Sequence, residues 1–243
     1  MLRIIGFVIV IAVVLPLPFA AATDLVPAPY TATYSVRYQG MTAGQLHFEL
    51  RAEEDGRFVY ETHATPGLLA SLLVSNKAVE RSIMRIDADG VRPLSWFMDD
   101  GKSGKGNDGA LEFAWDEKRV TGTVKGERVD LPTEPGLQDR LSFQVASMTA
   151  LLRGREPGTI PVLDDDRIKP YSYSRQGAAR IKTQAGEFET VLYESTRPRS
   201  KRLSRIWHAP TLGYIPVRFE RLNRGKVEMV MELVTVERSE GGR

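Results

Sequence analysis

The sequence predicts an α+β protein that is mostly β: a large curved antiparallel sheet, forming an open or half β-barrel, wrapped around one amphipathic helix. Three observations predict this fold. Apolar and polar residues alternate with a period of two through most of the chain, which is typical of half-buried strands. Turn signals such as Asp55-Gly56 separate about eleven such segments. One segment in the middle of the chain has a helical period instead.

The N-terminal segment has the composition of a signal peptide. Arg3 precedes the apolar stretch 4–15, prolines at 16 and 18 interrupt it, and three alanines at 20–22 supply the small residues of a cleavage region. The apolar stretch is short for a membrane span, which needs roughly 20 residues. An uncleaved anchor is the alternative. We expect residues 1–22 to be removed after export through the Sec pathway and residues 23–243 to form a single periplasmic domain.

Composition limits the remaining possibilities. The chain has no cysteine, so no disulfide can stabilise it after export and the core must hold the fold. Hydrophobic residues make up 42% of the sequence, which is enough for one core. The formal net charge of +2 does not indicate a nucleic-acid-binding protein.

The first strand carries an aromatic stripe. Tyr30, Ala32, Tyr34, Val36 and Tyr38 share one face, and polar residues share the other. Further alternating segments follow, and the short connections between them predict an antiparallel meander.

The helix is predicted at about residues 134–153. Its apolar stripe consists of Leu137, Leu141, Val145, Met148 and Leu152. The residues outside this stripe are Gln138, Asp139, Arg140 and Arg153. We expect the helix to pack against the concave face of the sheet, because a large sheet tends to curl.

A second apolar segment, GLLASLLV at 67–74, predicts a short buried helix or a cap over one end of the sheet. Aromatic residues on strands are most often core, but a large curved sheet can also enclose a ligand. The predicted ligand-binding residues are therefore Leu68, Leu69, Leu72 and Leu73 from this segment, with Tyr34, Tyr60, Trp115 and Trp207 from strands.

Catalytic and metal motifs are missing from the sequence. There is no GxSxG segment and no HExxH segment, and the run Asp164-Asp165-Asp166 lacks the spacing of a calcium loop. We therefore predict no catalytic residue, no metal and no cofactor, and favour a protein that is not an enzyme. Two acids that are distant in sequence could still meet in space, and Asp99, Asp100, Glu112 and Glu134 remain open for that role.

One local stretch is strongly basic, with five cations within nine residues: Arg197, Arg199, Lys201, Arg202 and Arg205. A solvated edge strand would explain it, because positive charge blocks the addition of further strands. The alternative is a contact with envelope proteins, a glycan or anionic head groups.

Several stretches resemble a bacterial envelope family known as domain of unknown function 3108. They are the GMTAG turn at 40–44, GVRPLSWF at 90–97, the segment 138–152 and IWHAPTLGYIPVRFE at 206–220. A more distant similarity is to periplasmic lipoprotein and lipid carriers of the LolA and LolB kind. That resemblance implies an open antiparallel half-barrel around helices. The chain lacks the cysteine that would be acylated in LolB.

Three functions stay open on the sequence alone. The first is a non-enzymatic periplasmic protein that binds an apolar or amphiphilic, lipid-like ligand in the curved sheet, in cell-envelope maintenance. The second is an envelope enzyme acting on glycan or lipid with acids from separate strands. The third is an assembly scaffold without a ligand. An internal apolar site would favour the first, and close buried carboxylates would favour the second.

The signal peptide gives a direct prediction. Protein recovered from the periplasm should begin at Thr23, because the alanines at 20–22 are what a signal peptidase accepts. Intact mass measurement and N-terminal sequencing check this. A mature chain that begins at Met1 would contradict it.

Overall fold

The computed structural model describes residues 25–67, 75–102 and 106–238. The predicted signal peptide at 1–22 and the predicted ligand-binding residues Leu68, Leu69, Leu72 and Leu73 lie outside the described residues. Within the described ranges, no helix has the length and apolar character needed to cross a membrane.

In the part of the chain that the structure describes, fourteen strands form one antiparallel sheet. In chain order they are β1 (Tyr30–Tyr38), β2 (Met41–Ala52), β3 (Arg57–Pro66), β4 (Val79–Asp87), β5 (Gly90–Asp99), β6 (Gly109–Ala114), β7 (Arg119–Val124), β8 (Glu127–Pro132), β9 (Thr159–Asp164), β10 (Arg167–Thr183), β11 (Gly186–Thr196), β12 (Arg202–Ala209), β13 (Ile215–Asn223) and β14 (Lys226–Arg238). The predicted class, a mostly β fold with a single large antiparallel sheet, is confirmed.

The sheet follows chain order on both sides of one central pairing. β1 pairs with β14, so the two ends of the chain meet in the middle of the sheet. The free edges are β8 and β9, and the chain between them carries the helix α1 (Ser142–Leu152). The sheet is therefore open at the point where the helix is inserted.

Neither edge strand was expected from the sequence. β8 ends at Pro132 and β9 contains Pro161. A proline has no N–H to donate and is found in sheets at edges, so it weakens the sequence signal for a strand. The pairing of β9 with β10 determines the strand here, and periodicity does not reveal it.

The helix begins at Ser142, later than the predicted start near residue 134. The preceding segment is extended, because the N–H of Gln138 donates to Pro161 O at 2.9 Å and Gln138 O accepts from the N–H of Leu163 at 2.8 Å. These backbone groups form a parallel bridge to β9 and are not available for a helix. Gln138 and Asp139, which were expected outside the apolar stripe, are both buried.

Two hydrophobic clusters make up the core. The main cluster contains Leu141, which immediately precedes the helix, and the helix residues Val145 and Met148, packed with the helix-facing residues of the sheet. The second cluster joins the two free edges, because it contains Val129 of β8 and Leu163 of β9. Leu137, which lies on the segment before the helix, belongs to the same cluster. The gap in the sheet is thus filled by side chains.

The helix stripe gives a stability prediction. Leu141 is 2% exposed and belongs to the main cluster, so Leu141→Ala should lower the free energy of unfolding by roughly 2 to 5 kcal/mol through lost burial and a new cavity. Val227→Ala is the control, because Val227 is 45% exposed and should change stability by less than about 0.5 kcal/mol. Urea denaturation measures both, and equal effects would show that the helix does not anchor the core.

Candidate functional site

A buried carboxylate fixes the start of α1. Oδ1 of Asp139 accepts hydrogen bonds from the backbone N–H groups of Leu141 and Ser142, both at 2.8 Å, and Oδ2 accepts one from Ser82 Oγ at 2.6 Å. The first N–H groups of a helix have no partner within the helix, so Asp139 satisfies them. Ser82 ties the same carboxylate to β4. Burial raises the pKa of Asp139 to about 6, although these hydrogen bonds act in the opposite direction.

A second carboxylate lies beside it. Oε1 of Glu80 accepts a hydrogen bond from Trp96 Nε1 at 2.9 Å, and Nε of Arg140 lies 3.5 Å from the same oxygen. The guanidinium of Arg140 also lies 5.7 Å from the centroid of the Trp96 ring. Burial raises the pKa of Glu80, while Arg140 and Trp96 act to lower it. Both carboxylates are engaged by protein donors, so together they anchor the segment 138–142 to the sheet.

This anchored helix lies mainly against one half of the sheet. α1 contacts β4 and β5, and several helix-facing residues of the strands on that side are buried, among them Phe48, Leu50, Tyr60 and Met84, while Leu46 and Phe58 are half-buried. The ring of Phe48 packs against the rings of Tyr34 and Tyr60, with centroids at 5.5 and 5.7 Å. We call this region the filled half.

The helix-facing side of β12 to β14 is covered in part, because Val217 and Leu233 are buried in the main cluster. Phe219 lies opposite Ile206 on one side and Met231 on the other, and Met231 lies opposite Val36. Residues that lie opposite one another share a face, and Val36 shares its face with Tyr34 two residues earlier. Phe219 and Met231 therefore face the helix, yet both are only half-buried.

Exposure on this face increases toward one end of the sheet. Met229 is half-buried and lies between Tyr38 and Arg221 in the register. Tyr38 is 48% exposed, and Met41, its partner across the β1–β2 turn, is 59% exposed. Among the described residues, the exposure of this face is therefore greatest at the end that carries the β1–β2, β11–β12 and β13–β14 turns.

The helix reaches the open side at one point. The ring of Phe143 stacks on the ring of Tyr171 of β10, with centroids 5.9 Å apart. This contact shows that Tyr171 faces the helix. We define the open cleft by its half-buried residues, which are Phe143, Tyr171, Phe219, Met229 and Met231.

Two arginines stand at the exposed end of the open cleft. Arg221 precedes the β13–β14 turn, and its guanidinium lies 6.0 Å from the centroid of the Phe219 ring. Arg202 lies at the start of β12, two residues from Ser204, which is opposite Arg221. Partial burial and the neighbouring charge of Arg202 lower the pKa of Arg221. Within the described ranges, neither arginine forms an ion pair with a carboxylate.

The structure divides the predicted basic stretch in two. Nη1 of Arg197 pairs with Asp164 at 2.8 Å, and Nε of Arg205 pairs with Glu194 at 3.0 Å. Among the residues that the structure covers, three others make no ion pair: Arg199, Lys201 and Arg202. The N–H of Arg224 donates to Lys201 O at 2.9 Å, so the neighbouring β13–β14 turn brings further positive charge to this end.

Three of the four predicted aromatic residues of the site belong to the main cluster, namely Tyr34, Tyr60 and Trp207, and Trp115 lies apart from them. Tyr34 and Tyr60 lie together in the filled half, 5% and 3% exposed. Trp115 packs against the second cluster and donates through Nε1 to Pro93 O at 2.6 Å. Trp207 is buried and lies opposite Leu192, on the face away from the one that carries Ile206 and Phe219.

The open cleft was not predicted from the sequence. Its residues fall in alternating strands like any core residue, and nothing local distinguishes a half-buried phenylalanine from a buried one. The one available signal was the pattern of Phe219 followed two residues later by Arg221, which places an aromatic ring and a cation on one face of a strand.

His208, next to Trp207, closes a turn. Its Nδ1 lies 2.7 Å from Tyr214 O, which requires the proton to be on Nδ1, and its Nε2 is buried with no hydrogen-bond partner within the described residues. The ring also contacts Tyr193 edge to face, with centroids at 6.0 Å. Burial lowers the pKa of His208 to about 4, because a second proton would be buried without an acceptor. This histidine is a neutral structural residue.

Three carboxylates meet at the β5–β6 connection. Oxygen atoms of Asp99, Asp100 and Asp108 lie within 4.8 Å of one another, beside a cavity of about 560 Å³ lined in part by Phe97 and Ala110. Carboxylate oxygens are the ligands of hard cations. Here they accept backbone N–H groups of their own loop, including that of Asp100, which donates to Asp108 at 2.9 Å. The cluster therefore shapes the loop.

The chain belongs to the family described as protein of unknown function DUF3108, which matches residues 33–232. A search of curated protein sequences finds no match.

Several solved structures are similar to this chain at low sequence identity. A β-barrel-like protein of domain of unknown function DUF1849 from Brucella abortus is 10% identical, with a TM-score of 0.57 over 89% of this chain and 100% of its own. MucB in the MucA/MucB complex of Pseudomonas aeruginosa is 10% identical, with a TM-score of 0.41, and this chain covers 53% of that chain. A candidate outer membrane lipoprotein-sorting domain from Vibrio parahaemolyticus is 8% identical, with a TM-score of 0.31 over 89% of this chain and 87% of its own.

The buried His208 gives a pH prediction. Its pKa is about 4 in the folded protein, whereas an unperturbed histidine in an unfolded chain has a pKa of 6.5, so only the unfolded state takes up this proton between those values. This residue's contribution to stability is therefore complete above pH 6.5 and falls by about 1.4 kcal/mol per pH unit as the pH is lowered toward 4.

His208→Asn tests this, because the asparagine amide can still donate to Tyr214 O but does not titrate. Asp139 titrates in the same range with the opposite sign, so the quantity to measure is the difference in unfolding free energy between wild type and variant at each pH. A difference that is constant from pH 7 to about 4 would contradict the prediction.

Proposed function

We propose that this member of the DUF3108 family is a non-enzymatic periplasmic protein that binds an apolar or amphiphilic, lipid-like ligand inside its curved sheet, in cell-envelope maintenance. The observation that carries the proposal is the uneven interior. Tyr34 and Tyr60 are sealed beneath the helix, whereas Phe219 and Met231 face the same interior and remain half-buried. Apolar side chains that face inward and still meet water are what a ligand site offers.

The anchor explains why the interior stays uneven. Asp139, Ser82 and Glu80 hold the start of α1 near β4 and β5, so the helix cannot move to the middle of the sheet without leaving buried carboxylates unsatisfied. The open cleft is therefore a consequence of a fixed helix and a wide sheet.

One observation favours the alternative of an envelope enzyme. Glu80 and Asp139 come from separate elements, interact electrostatically and both have raised pKa values. Their oxygens, however, accept hydrogen bonds from Trp96, Ser82 and the start of the helix, and these bonds have a structural purpose. The geometry supports binding better than catalysis.

Uptake of N-phenyl-1-naphthylamine, an uncharged apolar fluorophore, tests the proposal. Wild-type protein should raise the fluorescence of the probe saturably. Phe219→Gln/Met231→Gln should weaken binding by roughly tenfold or more, because each change removes an apolar side chain whose full burial contributes about 1.5 to 3 kcal/mol. Thermal unfolding monitored by circular dichroism shows whether the variant keeps its sheet.

The matched control is Phe97→Gln/Leu25→Gln, which makes equally polar changes at residues that are 44% and 48% exposed outside the cleft. This variant should bind the probe as wild type does. Absence of saturable uptake by wild type would leave the scaffold function in its place. Loss of uptake in the control alone would assign binding to the cavity near Phe97.

A further inference from the structure

We infer that the ligand of the open cleft is an anionic amphiphile, whose phosphate or carboxylate head group is held by Arg202 and Arg221 at the exposed end. This inference rests on the proposed function and specifies the class of ligand. The apolar part would lie along Phe219 and Met231, and the charged part would stay near solvent.

The two arginines lie at the edge of the apolar surface of the open cleft. Arg221 shares the helix-facing side with Phe219, because the two residues are two positions apart on β13 and Arg221 is paired with Met229, next to Tyr38. The guanidinium therefore lies where the apolar surface of the cleft ends. A ligand that lies on Phe219 and extends to solvent must pass Arg221.

The charges of the two arginines favour an anionic ligand. Arg202 and Arg221 lie on the same face at the same end of neighbouring strands, the charge of Arg202 lowers the pKa of Arg221, and among the described residues neither arginine has a carboxylate in ion-pair distance. The nearby acids are already engaged: Asp164 pairs with Arg197 and Lys169, and Oε1 of Glu228 accepts from Asn223. Two neighbouring cations without a carboxylate partner favour an anion between them.

The turns next to these two arginines add further positive charge. Arg199 and Lys201 lie on the β11–β12 connection, and Arg224 is joined to Lys201 by a backbone hydrogen bond. These side chains are exposed or half-buried and increase the local concentration of anions at this end of the sheet. Arg202 and Arg221, which border the apolar surface, supply the specific contact with the head group.

The apolar surface beside the two arginines favours an amphiphile over a free anion. Tyr38 and Met41 are exposed beside the arginines, at 48% and 59%, and Met229 continues this apolar surface into the cleft. A small anion would leave that apolar surface in water. A head group attached to an acyl chain would cover it.

Competition with bound N-phenyl-1-naphthylamine tests the inference. Dodecanoate and dodecyl phosphate should each displace the probe at concentrations about tenfold or more below those required for monododecanoylglycerol, because a charge-assisted hydrogen bond to each arginine adds to equal apolar contact. Inorganic phosphate alone should displace no probe.

Variants of Arg202 and Arg221 test whether these two residues hold the head group. In Arg202→Gln/Arg221→Gln, the concentration of dodecanoate or dodecyl phosphate that displaces the probe should rise to that of monododecanoylglycerol, whereas Arg202→Lys/Arg221→Lys should keep most of the difference between the charged and uncharged competitors. The matched control is Arg85→Gln/Lys182→Gln, which removes two exposed cations elsewhere and should retain the preference.

The outcomes separate this inference from the proposed function. Probe binding with equal displacement by charged and uncharged competitors would overturn the anionic ligand and leave the apolar site standing. Displacement by inorganic phosphate as effective as that by dodecyl phosphate would also overturn it, in favour of a site for free phosphate. A preference that survives in the Gln/Gln variant would exclude Arg202 and Arg221 as its source.

Discussion

The carboxylate of Asp139 is the contact on which the rest of this structure depends. It is buried, it accepts three hydrogen bonds, and those bonds join the first turn of α1 to β4. Removing one partner of such a network would leave a buried charge or a set of helix N–H groups unsatisfied, which costs more than a hydrogen bond contributes on the surface. The adjacent Gln138 extends the same anchor to β9 through its backbone and to Val91 of β5 through Nε2, at 2.7 Å.

This anchor also solves the problem of the open sheet. A sheet with two free edges exposes unpaired backbone groups that can pair with other chains. Here Gln138 satisfies backbone groups of the β9 edge, and Leu137 packs between residues of β8 and β9 in one cluster. Lys125 and Asp165 form an ion pair at 2.7 Å between the turns that flank these edges. The segment before the helix therefore occupies the gap that a further strand would fill.

A fixed helix in a wide sheet has a consequence for the interior. The side chains of Tyr34, Phe48 and Tyr60 form a closed aromatic group beneath the helix, whereas Phe219 and Met231 remain accessible from the turn end. The same end gathers the cations of the β11–β12 and β13–β14 turns, because antiparallel neighbours bring their turns together in space. An apolar surface and a positive rim thus become adjacent without any sequence motif that joins them.

The sequence by itself determined the type of several long elements, but it did not reveal most of β10, which is the longest strand among the described residues. A period of two over β1 and β13 and a spacing of three and four over 141–152 are local patterns, and they fix which residues face a core in any fold that uses these elements. The order of motifs likewise identified the family. The edge strands β8 and β9, the short helix and the buried state of Gln138 and Asp139 could not be predicted, because each depends on a partner that is distant in the chain. Tertiary structure alone decided that Trp207 lies away from Phe219 and that Arg202 stands beside Arg221. The physical reason is that periodicity assigns a side chain to a face, whereas only the register of neighbouring strands and the fixed position of the helix decide what lies opposite that face.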